Sequence, residues 1–194
     1  MKKLLITGFD PFDGGTVNPS WEAVRLLPDQ IGGYELCKLP LPTLYETAPA
    51  LLLEKAEKIQ PHVILSVGLA GGRDAVTPER IAVNIRDAKI ADNAGVFHDG
   101  QRIDPSGDAA YFSTVPVEAM AQAIRNAGIP GTVSNTAGTF VCNDVLYSML
   151  RHYHGTAVRC GFIHVPRLPE QGSPNLPLEQ TVRALTAAIE ALDS

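Results

Sequence analysis

The sequence predicts an α/β fold, a three-layer αβα sandwich with a largely parallel central sheet and helices on both faces. Two observations carry this. Short apolar, β-branched runs such as 63–67 alternate along the chain with stretches of helical period such as 117–127, the pattern of a layered α/β domain. The 194 residues are 45% hydrophobic and 19% charged, with 17 Gly and 15 Pro, a composition that supports a turn-rich core and argues against disorder, collagen or coiled coil. Residues 1–194 therefore read as a single domain.

The elements follow in order. Residues 3–7 form a buried first strand that ends in the glycine-rich loop 8–15. Asn18-Pro19 then starts a helix, Asn as cap and Pro in the first turn. Residues 34–39 are a second strand. Residues 43–59 are helical by period, although Pro49 moves the regular part toward Thr47. Residues 63–67 are a central strand, followed by the glycine-rich turn 68–72 and by 81–85, which alternates like a strand. Residues 87–109 turn to Asp, Gly, Asn and Pro, a long loop that covers the site or joins subunits. A helix at 117–127 stops at Gly128. A short strand at 132–135, a helix at 141–152, a strand at 157–164 and a last helix at 178–192 complete the chain.

The formal charge is −5 and the pI about 5.5, with Lys and Arg scattered, so no nucleic-acid partner is expected. No apolar run approaches the roughly 20 residues needed to cross a bilayer, so no membrane partner is expected. With no signal-peptide pattern at its start, the protein is expected in the cytoplasm. Cys37, Cys142 and Cys160 are too few for a disulfide framework, which fits a reducing compartment.

Three residues have chemistry in reach. Cys142 falls where a turn enters the helix at 141–152, so unpaired backbone N–H groups and the helix dipole would favour a thiolate and receive an oxyanion; the alternative is a small buried hydrophobe. His164 closes a strand at the edge where an α/β fold gathers its polar groups, as a base or as a hydrogen-bonded structural residue. Glu79 follows the 68–72 turn and would orient an imidazole, or sit at the surface beside Arg80. His62, His98, His152, His154 and His164 are dispersed, so no metal is expected, and Asp92, Asp99, Asp104 and Asp108 read as solvated loop residues. The glycine loops 8–15 and 68–72 also admit a nucleoside phosphorylase-like or hydrolase-like enzyme, although neither matches a phosphate-loop pattern. A non-catalytic small-ligand sensor is the alternative from another class.

These segments together resemble the pyroglutamyl-peptidase I, or pyrrolidone-carboxylate peptidase, family of cysteine peptidases. The resemblance rests on Thr7-Gly8-Phe9-Asp10-Pro11-Phe12, Asn18-Pro19-Ser20-Trp21, Val67-Gly68-Leu69-Ala70-Gly71-Gly72-Arg73, Thr77-Pro78-Glu79-Arg80, Asp92-Asn93, the Cys142 segment and Gly161-Phe162-Ile163-His164-Val165-Pro166. It implies a cysteine omega-peptidase in which Cys142 is nucleophile, His164 base and then acid, and Glu79 the residue that orients the histidine. The reaction implied is removal of N-terminal 5-oxoproline from peptides through a thioester acyl-enzyme. No cofactor or metal is implied, and the protein would be a homo-oligomer, dimer or tetramer. A neutral, flat lactam calls for an apolar slot, for which Phe9, Phe12 and Phe140 are the candidates. Asp13, Lys89, Ala91 and Asp144 depart from the family pattern; Lys89 would weaken any oxyanion-facing role, and Asp144 would raise the thiol pKa if it approached the sulfur.

Overall fold

Alternation along the strands splits the apolar residues into two cores, one on each side of a sheet. The computed structural model describes residues Met1–Ser194. Its strands are β1 (Lys2–Phe9), β2 (Gln30–Ile31), β3 (Tyr34–Leu41), β4 (Val63–Leu69), β5 (Thr77–Pro78), β6 (Ile81–Val83), β7 (Ala110–Phe112) and β8 (Arg159–Val165). Its helices are α1 (Pro19–Leu26), α2 (Thr47–Ile59), α3 (Val117–Asn126), α4 (Val141–His152) and α5 (Leu178–Glu190). Six strands form the main sheet in the order β2-β3-β1-β4-β8-β5. The four inner strands are parallel, and β2 and β5 add antiparallel edges.

Leu4, Ile6, Val63, Leu65, Val67, Ile163 and Val165 face one way and pack with α1, α3 and α5. Leu5, Ile64, Cys160 and Phe162 face the other way and pack with α2 and α4. This is the predicted sandwich: inner strands buried on both faces read as continuous apolar runs, while each helix buries one stripe.

Local chemistry explains the helix limits. Asn18 caps α1 by accepting from the Ser20 N–H at 3.1 Å, with Pro19 in the first turn. Pro49 lies in the first turn of α2, where its missing N–H breaks no intrahelical bond, so the helix starts at Thr47 and not at residue 43. Gly128, at φ +77, follows α3.

Two strand expectations are corrected. Strand β6 stops at Val83 and pairs with β7 outside the main sheet. Residues 132–135 form no regular strand, although they run parallel to β5 through isolated bridges at Val76–Gly131 and Glu79–Ser134. Bonds from Val76 N to Pro130 O, Thr132 N to Val76 O, Ser134 N to Pro78 O and Arg80 N to Ser134 O flank a gap at Pro78, which has no N–H to give. No helix is long and apolar enough to cross a membrane.

Candidate active site

Strand β1 sits where the sheet reverses direction, with β3 on one side and β4 on the other, and open α/β sheets bind ligands at the carboxyl ends around such a point. A cavity of about 240 Å³ lies there. Phe9 ends β1, Leu69 ends β4, and both line it together with Phe12, Phe140, Cys142 and His164. A larger cavity, about 530 Å³, lies between α2 and α4, but it touches none of Cys142, His164 and Glu79. Size alone does not mark the chemistry.

His164 pairs in register with Gly68 of β4 on one side and with Thr77 of β5 on the other. It follows Phe162 by two residues, so its ring turns to the α4 side of the sheet, 4.7 Å from the Phe162 ring. Its Nδ1 lies 2.7 Å from Glu79 Oε1, with both side chains buried. Glu79 reaches this place because its backbone N–H bonds to Phe162 O at 2.9 Å, which continues the β5–β8 pairing by one step. Its other oxygen, Oε2, has no partner.

Cys142 stands in the first turn of α4, whose first repeating bond runs from Asp144 N to Phe140 O. The N–H groups of Val141, Cys142 and Asn143 make no backbone hydrogen bond, as expected at a helix start. The sulfur rests on Gly68: a Cβ there would lie 2.8 Å from Cys142 Sγ and 2.8 Å from Phe162 Cζ, so only glycine fits. Cys142 and His164 line the same cavity without a hydrogen bond between them.

Electrostatics correct one expectation. Burial pushes the Cys142 thiol up to about 12; the Glu79 charge adds to the rise and Arg73 opposes it. Burial also lowers His164, against the hydrogen bond and charge of Glu79. Burial thus works against both the thiolate and the imidazolium, and opposes the helix end at Cys142.

The two residues after Cys142 fasten this turn. The Asn143 side chain accepts from Val83 N at 3.0 Å and donates to Val83 O at 2.9 Å and Ile85 O at 3.1 Å. Asp144 accepts from Arg86 Nε at 3.1 Å, Arg86 Nη2 at 3.0 Å and Glu46 N at 3.1 Å. Asp144 is thus held by Arg86, and the carboxylate that acts on the thiol is Glu79.

Aromatic rings shape the cavity, with Phe12 and Phe140 at 5.9 Å and Phe9 and Phe162 at 6.2 Å between centroids. The loop that carries Phe12 is clasped from outside. Asp10 Oδ1 accepts from Thr43 N and Thr43 Oγ1, each at 2.7 Å, and from Asn93 Nδ2 at 3.3 Å, while Asn93 Nδ2 also reaches Pro11 O at 2.9 Å. Asp92 is not solvated as expected: it is buried and accepts from Tyr45 N at 3.1 Å and from Ala94 N and Val96 N at 2.9 Å. The 87–109 segment thereby braces the site loops. Asp13 sits at φ +50, a conformation that glycine enters most easily and Asp tolerates. Lys89 is exposed and Ala91 half-buried, and neither lines the cavity.

Sequence reasoning missed Arg73. It lines the cavity and donates to Glu79 Oε1, Thr77 Oγ1 and Thr136 O. A cation inside a glycine-rich turn, six residues before a buried acid, was the available signal.

Fold and site define a cysteine-type hydrolase of the α/β class. A family model described as pyroglutamyl peptidase matches residues 2–194, and the chain belongs to that family. It is 51% identical over 197 residues to the pyrrolidone-carboxylate peptidase of Levilactobacillus brevis, covering 98% of this chain and 97% of that one. It is 48% identical to the pyrrolidone-carboxylate peptidase of Staphylococcus aureus, covering 98% and 93%. Among solved structures, pyroglutamyl peptidase I of Bacillus amyloliquefaciens superposes with a TM-score of 0.94 at 43% identity, over 99% of this chain and 97% of that one. The pyrrolidone carboxyl peptidase of Thermococcus litoralis does so with a TM-score of 0.94 at 36% identity, over 99% and 93%.

Proposed function

We propose that this protein removes N-terminal pyroglutamyl residues from peptides, with residues 1–194 acting as one catalytic domain. Cys142 is the nucleophile, His164 the general base and then acid, and Glu79 the group that orients the imidazole. The observation that carries this reading is the buried Glu79–His164 contact of 2.7 Å at a cavity that Cys142 shares. The thiol proton passes to His164 as Sγ attacks the lactam residue's carbonyl carbon. The unpaired N–H groups at the start of α4 are placed to receive the oxyanion. His164 then gives the proton to the departing amine, leaving a thioester. Water, deprotonated by His164, attacks the thioester and releases 5-oxoproline and the free thiol.

Phe9, Phe12 and Phe140 form the slot for the lactam ring, where an apolar wall suits a head group with no charge to pair. The protein is further read as cytoplasmic, consistent with its three free cysteines. It is read as a homo-oligomer, with Phe97 and Phe112, 63% and 66% exposed, as apolar surface to cover. A monomeric mass by light scattering would remove the assembly from the reading.

Cys142→Ser is expected to cut hydrolysis of a pyroglutamyl anilide by at least about a thousandfold with an unchanged far-UV circular dichroism spectrum. Near-full activity in that variant would remove Cys142 from the chemistry. Tight 5-oxoproline binding by reduced wild-type protein without turnover would make it a sensor instead.

A further inference from the structure

We propose that Arg73 is a positioning residue for the catalytic pair: through the Glu79 oxygen that it shares with His164 it fixes the carboxylate and offsets part of its charge on the imidazole. This deepens the assignment of His164 as the base and rests on it. The geometry is that of a shared oxygen. Glu79 Oε1 receives both His164 Nδ1, at 2.7 Å, and Arg73 Nη1, while Oε2 has no partner. A carboxylate bonded to imidazole alone favours the protonated ring. A second cation on the same oxygen weakens that pull.

Arg73 is built for the task. Its Nη1 also reaches Thr77 Oγ1, and its Nη2 donates to Thr136 O at 2.8 Å, so two separate segments aim the guanidinium. Thr77 Oγ1 in turn contacts His164 O at 3.4 Å, which ties the Arg73 anchor to the strand that carries the base. The Arg73 side chain is 26% exposed and that of Glu79 fully buried, so the cation stands at the rim of the site and the anion within it.

Few other charges compete. The titratable groups that face His164 are Glu79 and Arg73 from the segment around β5 and Cys142 from α4; the remaining cavity residues nearby, Asn18 and Thr43 among them, carry no charge. Arg73 acts on both reacting groups in one direction, lowering His164 and lowering Cys142.

The test is the acid limb of kcat/KM against pH with a pyroglutamyl anilide. Arg73→Gln should shift that limb up by about one pH unit, so that activity below neutrality falls about tenfold further than activity above it. Arg73→Lys supplies charge without the planar fork, and should return the limb to its wild-type position while kcat stays reduced. A limb that does not move in Arg73→Gln overturns the proposal, as does a limb displaced equally by Lys and Gln. Should Arg73→Gln fail to fold, Arg73→Lys decides: an acid limb at the wild-type position with reduced kcat supports the proposal, and a displaced limb or an unreduced kcat overturns it. Absence of wild-type turnover would strike the peptidase assignment, and the His164 ring titration compared between wild type and Arg73→Gln would still decide what Arg73 does.

Discussion

Asp144 and Glu79 are both fully buried acids near Cys142, and their partners give them opposite work. Asp144 is claimed by the Arg86 guanidinium, itself only 9% exposed. Removing the acid leaves that cation only the exposed Glu46 carboxylate, 2.9 Å from Arg86 Nη1, so Asp144→Ala should lower unfolding free energy by about 3 kcal/mol in urea titrations. Glu79 instead gives its Oε1 to the imidazole and to Arg73. A thiol raised to about 12 predicts that wild type minus Cys142→Ser shows no thiolate ultraviolet absorbance at neutral pH, only at strongly alkaline pH. Phe140→Ala should raise KM by up to about tenfold and alter kcat less, since a ring stack contributes about 0.5–1.5 kcal/mol to ground-state and transition-state binding alike. The candidate residues were legible because each stands in a compact stretch with local meaning: a helix start, a strand end, a glycine turn. Arg86 and Asp144, 58 residues apart, met only through the fold, and nothing local announces that.

Among the elements, α4 matters most to the site. Its apolar spacing from Val141 to Leu150 made its limits readable, and its start delivers the nucleophile. Strands β1, β4 and β8 were equally plain because parallel strands buried on both faces are unbroken apolar runs. The two-residue strands β2 and β5 carry no periodicity, and the pairing of residues 130–134 with β5 is interrupted by one proline, so pattern reading could not place them. Strand β4 meets α4 through bare backbone at Gly68. Gly68→Ala should cost about 1–3 kcal/mol by denaturant unfolding, because its methyl group meets both the Cys142 sulfur and the Phe162 ring. Turnover should fall with it.

At the scale of the whole molecule, ionisation bounds the range of stability. The thiols of half-buried Cys142 and buried Cys160 are both raised to about 12. An unfolded thiol ionises near about 8.5, so the stabilisation from keeping these groups neutral is full below that pH and is lost as pH rises toward the folded values. His164 is depressed, so its contribution is present above the unfolded histidine value of about 6.5 and is lost as pH falls below it. Melting temperature should therefore plateau between about 6.5 and 8.5, and Cys160→Ala should flatten the alkaline decline. Gly68 has one last consequence. With solid backbone behind the sulfur, an electrophilic inhibitor has a single approach, through the aromatic slot. A reactive warhead mounted on a planar lactam should thus label this cysteine ahead of Cys37, which is equally half-buried but lies outside the slot, whereas small unselective alkylating agents would lose that preference.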